Sequence, residues 1–378
     1  MKHQSYIFFF GACALALSAC SDDDFLPSIT STDVQVIADG TSDGGEYAGF
    51  YLLNEGNMGS NKCTLDFYDY STATYYRNIY AENNPSVAFE LGDSGNDMQI
   101  YRDRLYIVLT GSHKVEVLDA RTAKRIGQVD ISSPRCIAFA GSKAFVTSTV
   151  GDGDKGTVVS FDIESLRVEH SVAVGYSPEG IIERDGKLYV ANSYNYGAGA
   201  FDNTVSVIDA ASLKVDYAAE AGTNLRSLLF DNHANLWAIA SGNYFDQAAE
   251  LSCLAKDGKN YSYAGGIAAD ASSFVYYKDH IYTVGVGYDA SWNATPVYTD
   301  LRTAARFDDV TEEAATWTGA DIMTPYNITV NSSTGEFYIT DARNYTSSGR
   351  VYAFGADHKL RWSANTGDIP AKIAFLSK

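Results

Sequence analysis

Positive charge is scarce in this sequence. Its 28 lysines and arginines face 47 aspartates and glutamates, for a formal net charge of −19, and the cations form no cluster. A nucleic-acid partner needs a basic patch to neutralise phosphates, so none is expected. Long apolar runs are missing too. The longest candidate, Ile7 to Leu17, is too short to span a bilayer as a helix, which takes roughly 20 apolar residues. Of five cysteines, Cys13 lies in the leader and Cys20 just after it, and Cys63, Cys136 and Cys253 are too widely spaced for a disulfide framework, though one bridge in an oxidising compartment is open to them.

The N-terminus carries an address. Lys2 and His3 precede the apolar run, and Leu17-Ser18-Ala19-Cys20 has the order of a secretory signal peptide ending at a lipidation cysteine. The reading is a signal peptide at 1–19, a lipidated Cys20 opening a flexible tether at 20–48, and one domain at 49–378. The tether is assigned by its Ser, Thr, Asp and Gly content, which cannot bury enough surface to fold. Ser21-Asp22-Asp23-Asp24 resembles the acidic signal by which Bacteroidetes send lipoproteins to the outer face of the outer membrane. That resemblance implies a lipid-anchored, outward-facing protein.

A short apolar run recurs along the domain: MQIY from Met98, CIAF from Cys136, GIIE from Gly180, SLLF from Ser227, FVYY from Phe274, NITV from Asn327 and KIAF from Lys372. Their starts are 38, 44, 47, 47, 53 and 45 residues apart, the spacing of four-stranded propeller blades. An aromatic strand follows each of the first six runs after a tight turn. Next comes a third strand that often ends in Asp, as in TLDFYD, KVEVLD, TVVSFD and TVSVID, and then a fourth. The first unit, from Gly49, lacks an inner strand, and the chain ends on a surplus one, KIAF. The spacing therefore predicts an all-β, seven-bladed β-propeller of four-stranded antiparallel blades, closed by the C-terminal strand completing the first blade. The long stretch 288–319 is expected to form a short helix or an irregular flap.

FYLLNEGNMGSNKCTLDFYD, from Phe50, resembles the start of the Bacteroidetes surface lipoprotein propellers of DUF5074-like type. The SPEG, LYVANS and NTVSVID segments after Ser177 resemble the wider YVTN-type, surface-layer-like class. Some of these lipoproteins, of the BtuG type, bind cobalamin above an outer-membrane corrinoid transporter. The resemblance thus implies a protein that captures a corrinoid and delivers it to a TonB-dependent transporter, needs no cofactor of its own, and is a monomer outside that complex. Binding of a glycan or a protein, and hydrolase or lyase chemistry, are the alternatives.

In a four-stranded meander, the loops between strands two and three and the links between blades share one face. That face is expected to bind ligand, because its long loops carry Tyr194, Tyr196, Phe201, Tyr244, Phe245, Tyr288, Trp292, Tyr298 and Tyr345. The inner strands begin there with Asp97, Arg135, Glu179, Arg226, Ser273, Tyr326 and Ala371. The acids and arginines among them read either as a self-neutralising ring or as a polar floor for a ligand.

Catalytic signatures are thin. By loop assignment His233, His280 and His358 fall on the opposite hairpin face and His170 on an outer strand, so only His113 reaches the decorated face, as a turn residue or as a ligand to a corrinoid cobalt. Asp152 and Asp154 resemble the front of a calcium loop, but Glu164 stands one place too late to complete it, which favours a plain turn. Asp97 and Glu179 sit beside arginines that would hold both ionised and leave no acid for glycan cleavage. The expectation is a protein that is not an enzyme.

Overall fold

In the computed structural model, residues 31–378 are described apart from 41–42, 88–89, 151–154, 196–198 and 290. The signal segment, Cys20, Asp152, Asp154 and Tyr196 lie outside the described residues. Among the described residues, no helix is long and apolar enough to cross a membrane.

Seven antiparallel sheets form the ring. The innermost strands of blades 1 to 7 are Pro370–Ser377, Gly95–Tyr101, Pro134–Ala140, Ile181–Arg184, Leu225–Phe230, Ser273–Tyr277 and Pro325–Val330. The last strand closes blade 1 against Tyr47–Asn54, with Phe50 opposite Phe375 and Leu52 opposite Ile373. Blade 1 also has a fifth strand, because Asp33–Val36, within the segment that reads as a tether, pairs with Thr74–Arg77 at the outer edge. An ion pair of 3.0 Å between Arg77 and Asp33 ties it there.

The aspartate that ends so many third strands sets the following hairpin. Asp119 accepts the backbone N–H and hydroxyl of Thr122, and Asp162 and Asp209 do the same with Ser165 and Ser212. Each is an Asx turn that starts the outer strand. On the same face Asp185 and Gly186 both take positive φ, 53° and 75°, as a two-residue hairpin with right-handed strand twist requires.

The core lies in the seams between blades, not within any one blade. Tyr106, Val108 and Val117 pack on Ile137, Phe139 and Val146 across blades 2 and 3. The closing seam between blades 7 and 1 packs Tyr338 and Trp362 against Phe50, Tyr68 and Tyr70. Within 288–319, Ala294–Arg302 forms a regular third strand of blade 6. Tyr298 is therefore a strand residue paired with Val284 and packed in the seam, not a loop residue. Only a 3-10 turn, Phe307–Asp309, interrupts the rest before an outer strand of three residues, Thr311–Glu313. Cys63, Cys136 and Cys253 are free.

Candidate functional site

The inner strands begin around an axial cup. Arg135 of blade 3 and Arg226 of blade 5 flank Glu179, which precedes the inner strand of blade 4. Arg135 binds Glu179 Oε2 through Nε and Nη2, each at 2.9 Å, while Arg226 Nη1 lies 3.8 Å from Oε1. Gly180 allows this approach. Its N–H bonds the Arg226 carbonyl at 2.8 Å, and a Cβ there would stand 2.7 Å from the same oxygen. Burial works against the Arg135 cation, but the Glu179 charge more than offsets it and the guanidinium pKa is raised.

Across the cup stands a second carboxyl that the inner-strand rule does not find. Glu55 follows strand Tyr47–Asn54 and accepts a 2.6 Å hydrogen bond from the Tyr326 hydroxyl. Burial raises its pKa despite that bond and despite the opposing charges of Arg135 and Lys372. Tyr326 is also raised, first by burial and then by Glu55, and its ring meets that of Tyr345 edge-on at 6.1 Å. Glu55, Arg135, Glu179, Arg226, Tyr326 and Lys372 all line one cavity of about 510 Å³.

A second cavity of about 570 Å³ continues outward, sharing Arg135, Glu179, Arg226 and Tyr244 with the first. Its wall is aromatic. Tyr194 and Phe201 face each other in a two-stranded ribbon with ring centres 4.8 Å apart, and Phe201 meets Tyr244 at 6.0 Å. Every residue lining this outer cavity comes from a strand-two end, a two-to-three loop, an inter-blade link or the start of an inner strand.

The structure thus gathers Arg135, Glu179, Tyr194, Phe201, Arg226, Tyr244, Tyr326 and Tyr345 around the two cavities. Asp97 is elsewhere engaged: its carboxylate accepts the N–H groups of Met98 and Ile137 at 2.9 and 3.0 Å, stapling blade 2 to blade 3. His113 Nδ1 accepts the Ser133 N–H at 3.0 Å, which leaves the ring proton on Nε2. Phe245, Tyr288 and Trp292 stand outside both cavities, 92%, 64% and 83% exposed. Glu55 was legible in principle, since it opens the two-to-three loop of blade 1. The strand-start rule returned Ala371 for that blade because its inner strand comes from the far end of the chain.

The expectation of a protein that is not an enzyme took the histidines to be scattered and the cup carboxyls to be held ionised by arginine, and it is corrected on two grounds. Burial raises the pKa of Glu55. His280, Asp300 and Glu313 converge with ligand atoms all within 4.8 Å of one another. His280 Nδ1 lies 2.7 Å from Asp300 Oδ1. The sequence hid this group because blade 6 brings together three residues spread over 34 positions, from 280 to 313.

Three solved structures show the same fold. A quinonprotein alcohol dehydrogenase-like protein from Bacteroides thetaiotaomicron is 16% identical, with TM-score 0.61 over 88% of this chain and 79% of that one. A periplasmic gluconolactonase from Pseudomonas aeruginosa is 12% identical, with TM-score 0.58 over 87% and 99%. Hydrazine synthase from Kuenenia stuttgartiensis is 19% identical, with TM-score 0.57 over 70% and 77%. No curated protein matches the sequence significantly. The family model described as "Domain of unknown function (DUF5074)" matches residues 48–372, which span the seven blades, and the chain belongs to that family.

Proposed function

We propose that this propeller is a hydrolase acting at a C–O bond of an anionic, polyhydroxylated substrate, a sugar-acid lactone or a uronic-acid glycan. The observation that carries the proposal is a pair of carboxyls whose surroundings differ within one cup. Glu55 is buried, hydrogen-bonded to Tyr326 and raised in pKa, whereas Glu179 is the anion of two arginine ion pairs. A carboxyl raised in pKa by burial, facing a carboxylate held between arginines, supplies an acid and a base. Glu55 would give its proton to the leaving oxygen. Glu179 would take one from the attacking water, whose oxygen bonds to the carbon as the C–O bond breaks.

Charge selects the substrate class. The charged residues lining the inner cavity are three cations, Arg135, Arg226 and Lys372, against two carboxyls, Glu55 and Glu179. The cup is thus a cationic spot in a protein of net charge −19. Tyr194, Phe201 and Tyr244 offer apolar faces for the rings of a sugar chain. The likeness to the Pseudomonas gluconolactonase concerns fold alone, so these residues carry the proposal.

A second reading, capture of a corrinoid for an outer-membrane transporter by a protein anchored outside the cell through Cys20, is favoured by the exposed rim of Phe245, Tyr288 and Trp292. One set of experiments separates the two. Purified protein is incubated with sugar-acid lactones, uronic-acid polymers and cyanocobalamin, with turnover followed by proton release and reducing ends, and cobalamin retention by gel filtration. Hydrolysis is expected for an anionic substrate, and Glu55→Gln should abolish the rate while leaving substrate affinity nearly unchanged. Cobalamin retention without any turnover would refute the hydrolase, as would wild-type rates from Glu55→Gln.

A further inference from the structure

We infer that blade 6 carries a transition-metal site on the face opposite the axial cup, formed by His280, Asp300 and Glu313 and flanked by His358 of blade 7. It would bind a divalent ion of the zinc class, which fastens the outer strand of blade 6 to the ring.

Strand register places the ligands. Tyr282, Asp300 and Glu313 stand in one cross-strand row, and His280, Arg302 and Thr311 in the next. Side chains two residues apart along a strand share a face, so all six project from the same side of the sheet. That side faces blade 7, since Tyr282 packs edge-on to Phe337 at 4.9 Å and to His358 at 5.4 Å. His358 stacks on Trp317 at 4.3 Å and feels the charges of Asp300 and His280. Asp300 is only 6% exposed and fixes one corner of the site, whereas Glu313 is exposed and free to turn.

Two observations point to a cation. The first is distance. Ligand oxygens and nitrogens at about 2.1 Å from a tetrahedral ion lie about 3.4 Å apart, and the present separations are at most 4.8 Å with the exposed Glu313 side chain able to move. The second is a like-charge pair that meets no lysine or arginine, Asp300 having the His280 imidazole as its partner at 2.7 Å. Asp300 and Glu313 are direct cross-strand partners, an arrangement that destabilises a sheet when both are charged. Among the described residues no lysine or arginine pairs with either, and Arg302, exposed on the same face, forms no ion pair. A divalent ion between the carboxylates turns that repulsion into attraction. One imidazole with two carboxylates suits zinc and its neighbours, while magnesium and calcium prefer all-oxygen sites.

The place of the site gives its role. Glu313 ends an outer strand of three residues, whereas the outer strands of blades 2 to 5 and 7 have six to nine. This strand follows the long connection through Phe307–Asp309 and holds to the blade by only three residue pairs. A metal bridge from Glu313 to Asp300 and His280 spans the second, third and outer strands and locks that weak edge.

The test uses the whole propeller domain, freed of metal with a chelator and dialysed. Zinc chloride titrated by calorimetry should bind saturably at one site per chain and raise the unfolding midpoint, while magnesium and calcium chlorides at equal concentration should do neither. His280→Asn should weaken zinc at least about tenfold, since each ligand contributes to affinity. Glu313→Gln, which removes one of the two repelling charges at an exposed position, should leave the metal-free midpoint no lower and remove most of the zinc-induced rise. Absence of saturable zinc binding, zinc binding unaltered in both variants, or equal binding of calcium would overturn the assignment.

Discussion

Replacing Glu336 with Gln should remove a pH-sensitive weakness from the closing seam. Glu336 is 8% exposed in the turn between the inner and second strands of blade 7. It ends a chain of donors: Asn331 donates to the Tyr70 hydroxyl at 3.2 Å, Tyr70 and Tyr338 share a 2.7 Å hydroxyl bond, and Tyr338 donates to Glu336. The chain crosses from blade 7 to blade 1, where the ring closes. Burial raises the Glu336 carboxyl from 4.5 to about 7, outweighing the lowering by Tyr338 and by Arg361. A carboxyl that binds its proton more tightly when folded contributes stability that is complete below its unfolded pKa. That contribution is lost as pH rises through the folded pKa. The window here runs from about pH 4.5 to about pH 7, and the loss is at most about 3 kcal/mol at 1.36 kcal/mol per pH unit. Urea unfolding followed by circular dichroism at pH 5 and pH 8 measures it. The wild type should lose more stability between the two than Glu336→Gln, whose amide still accepts from Tyr338 and never ionises. Other raised carboxyls, Glu55 and Asp66 among them, shift both proteins alike and cancel in the comparison. Equal pH dependence in the two proteins would show that Glu336 ionises freely and that the seam does not feel it.

Two further outcomes follow from the geometry. Deleting residues 372–378 strips the strand that pairs with Tyr47–Asn54, and at about 25 cal/mol per Å² of apolar surface the loss should reach several kcal/mol; an unchanged thermal midpoint would mean that the ring is not held closed there. Arg226→Ala should weaken an anionic substrate by about tenfold or more, the scale of a lost charge-assisted hydrogen bond. Trp292→Ala, outside both cavities, should leave that affinity unchanged, and the reverse order, read by calorimetry, would move the site from the cup to the rim.

Much of the candidate site is legible because propeller strands repeat. Once MQIY, CIAF, GIIE and SLLF are aligned, the residues just before or at their starts become equivalent, and Arg135, Glu179 and Arg226 fall together. The same rule misassigns Asp97, because alignment gives position and not partner: the backbone N–H of Ile137 takes its carboxylate into a staple. It also passes over Glu55, whose blade borrows its inner strand from the C-terminus.

The sequence by itself determined the period, the blade count, the manner of closure and the sorting of loops between two faces, since each depends on local turn chemistry and strand alternation. The Asp-led turns after Asp119, Asp162 and Asp209 and the surplus strand at Lys372 are enough for that. Tertiary structure alone decided which charges meet. The raised Glu55 depends on burial against Tyr326, some 270 residues away. The group of His280, Asp300 and Glu313 exists only through the register of three strands. Ionisation and ligand geometry are set by neighbours in space, and a closed ring can draw those neighbours from distant parts of the chain, as it does Glu55 and Tyr326.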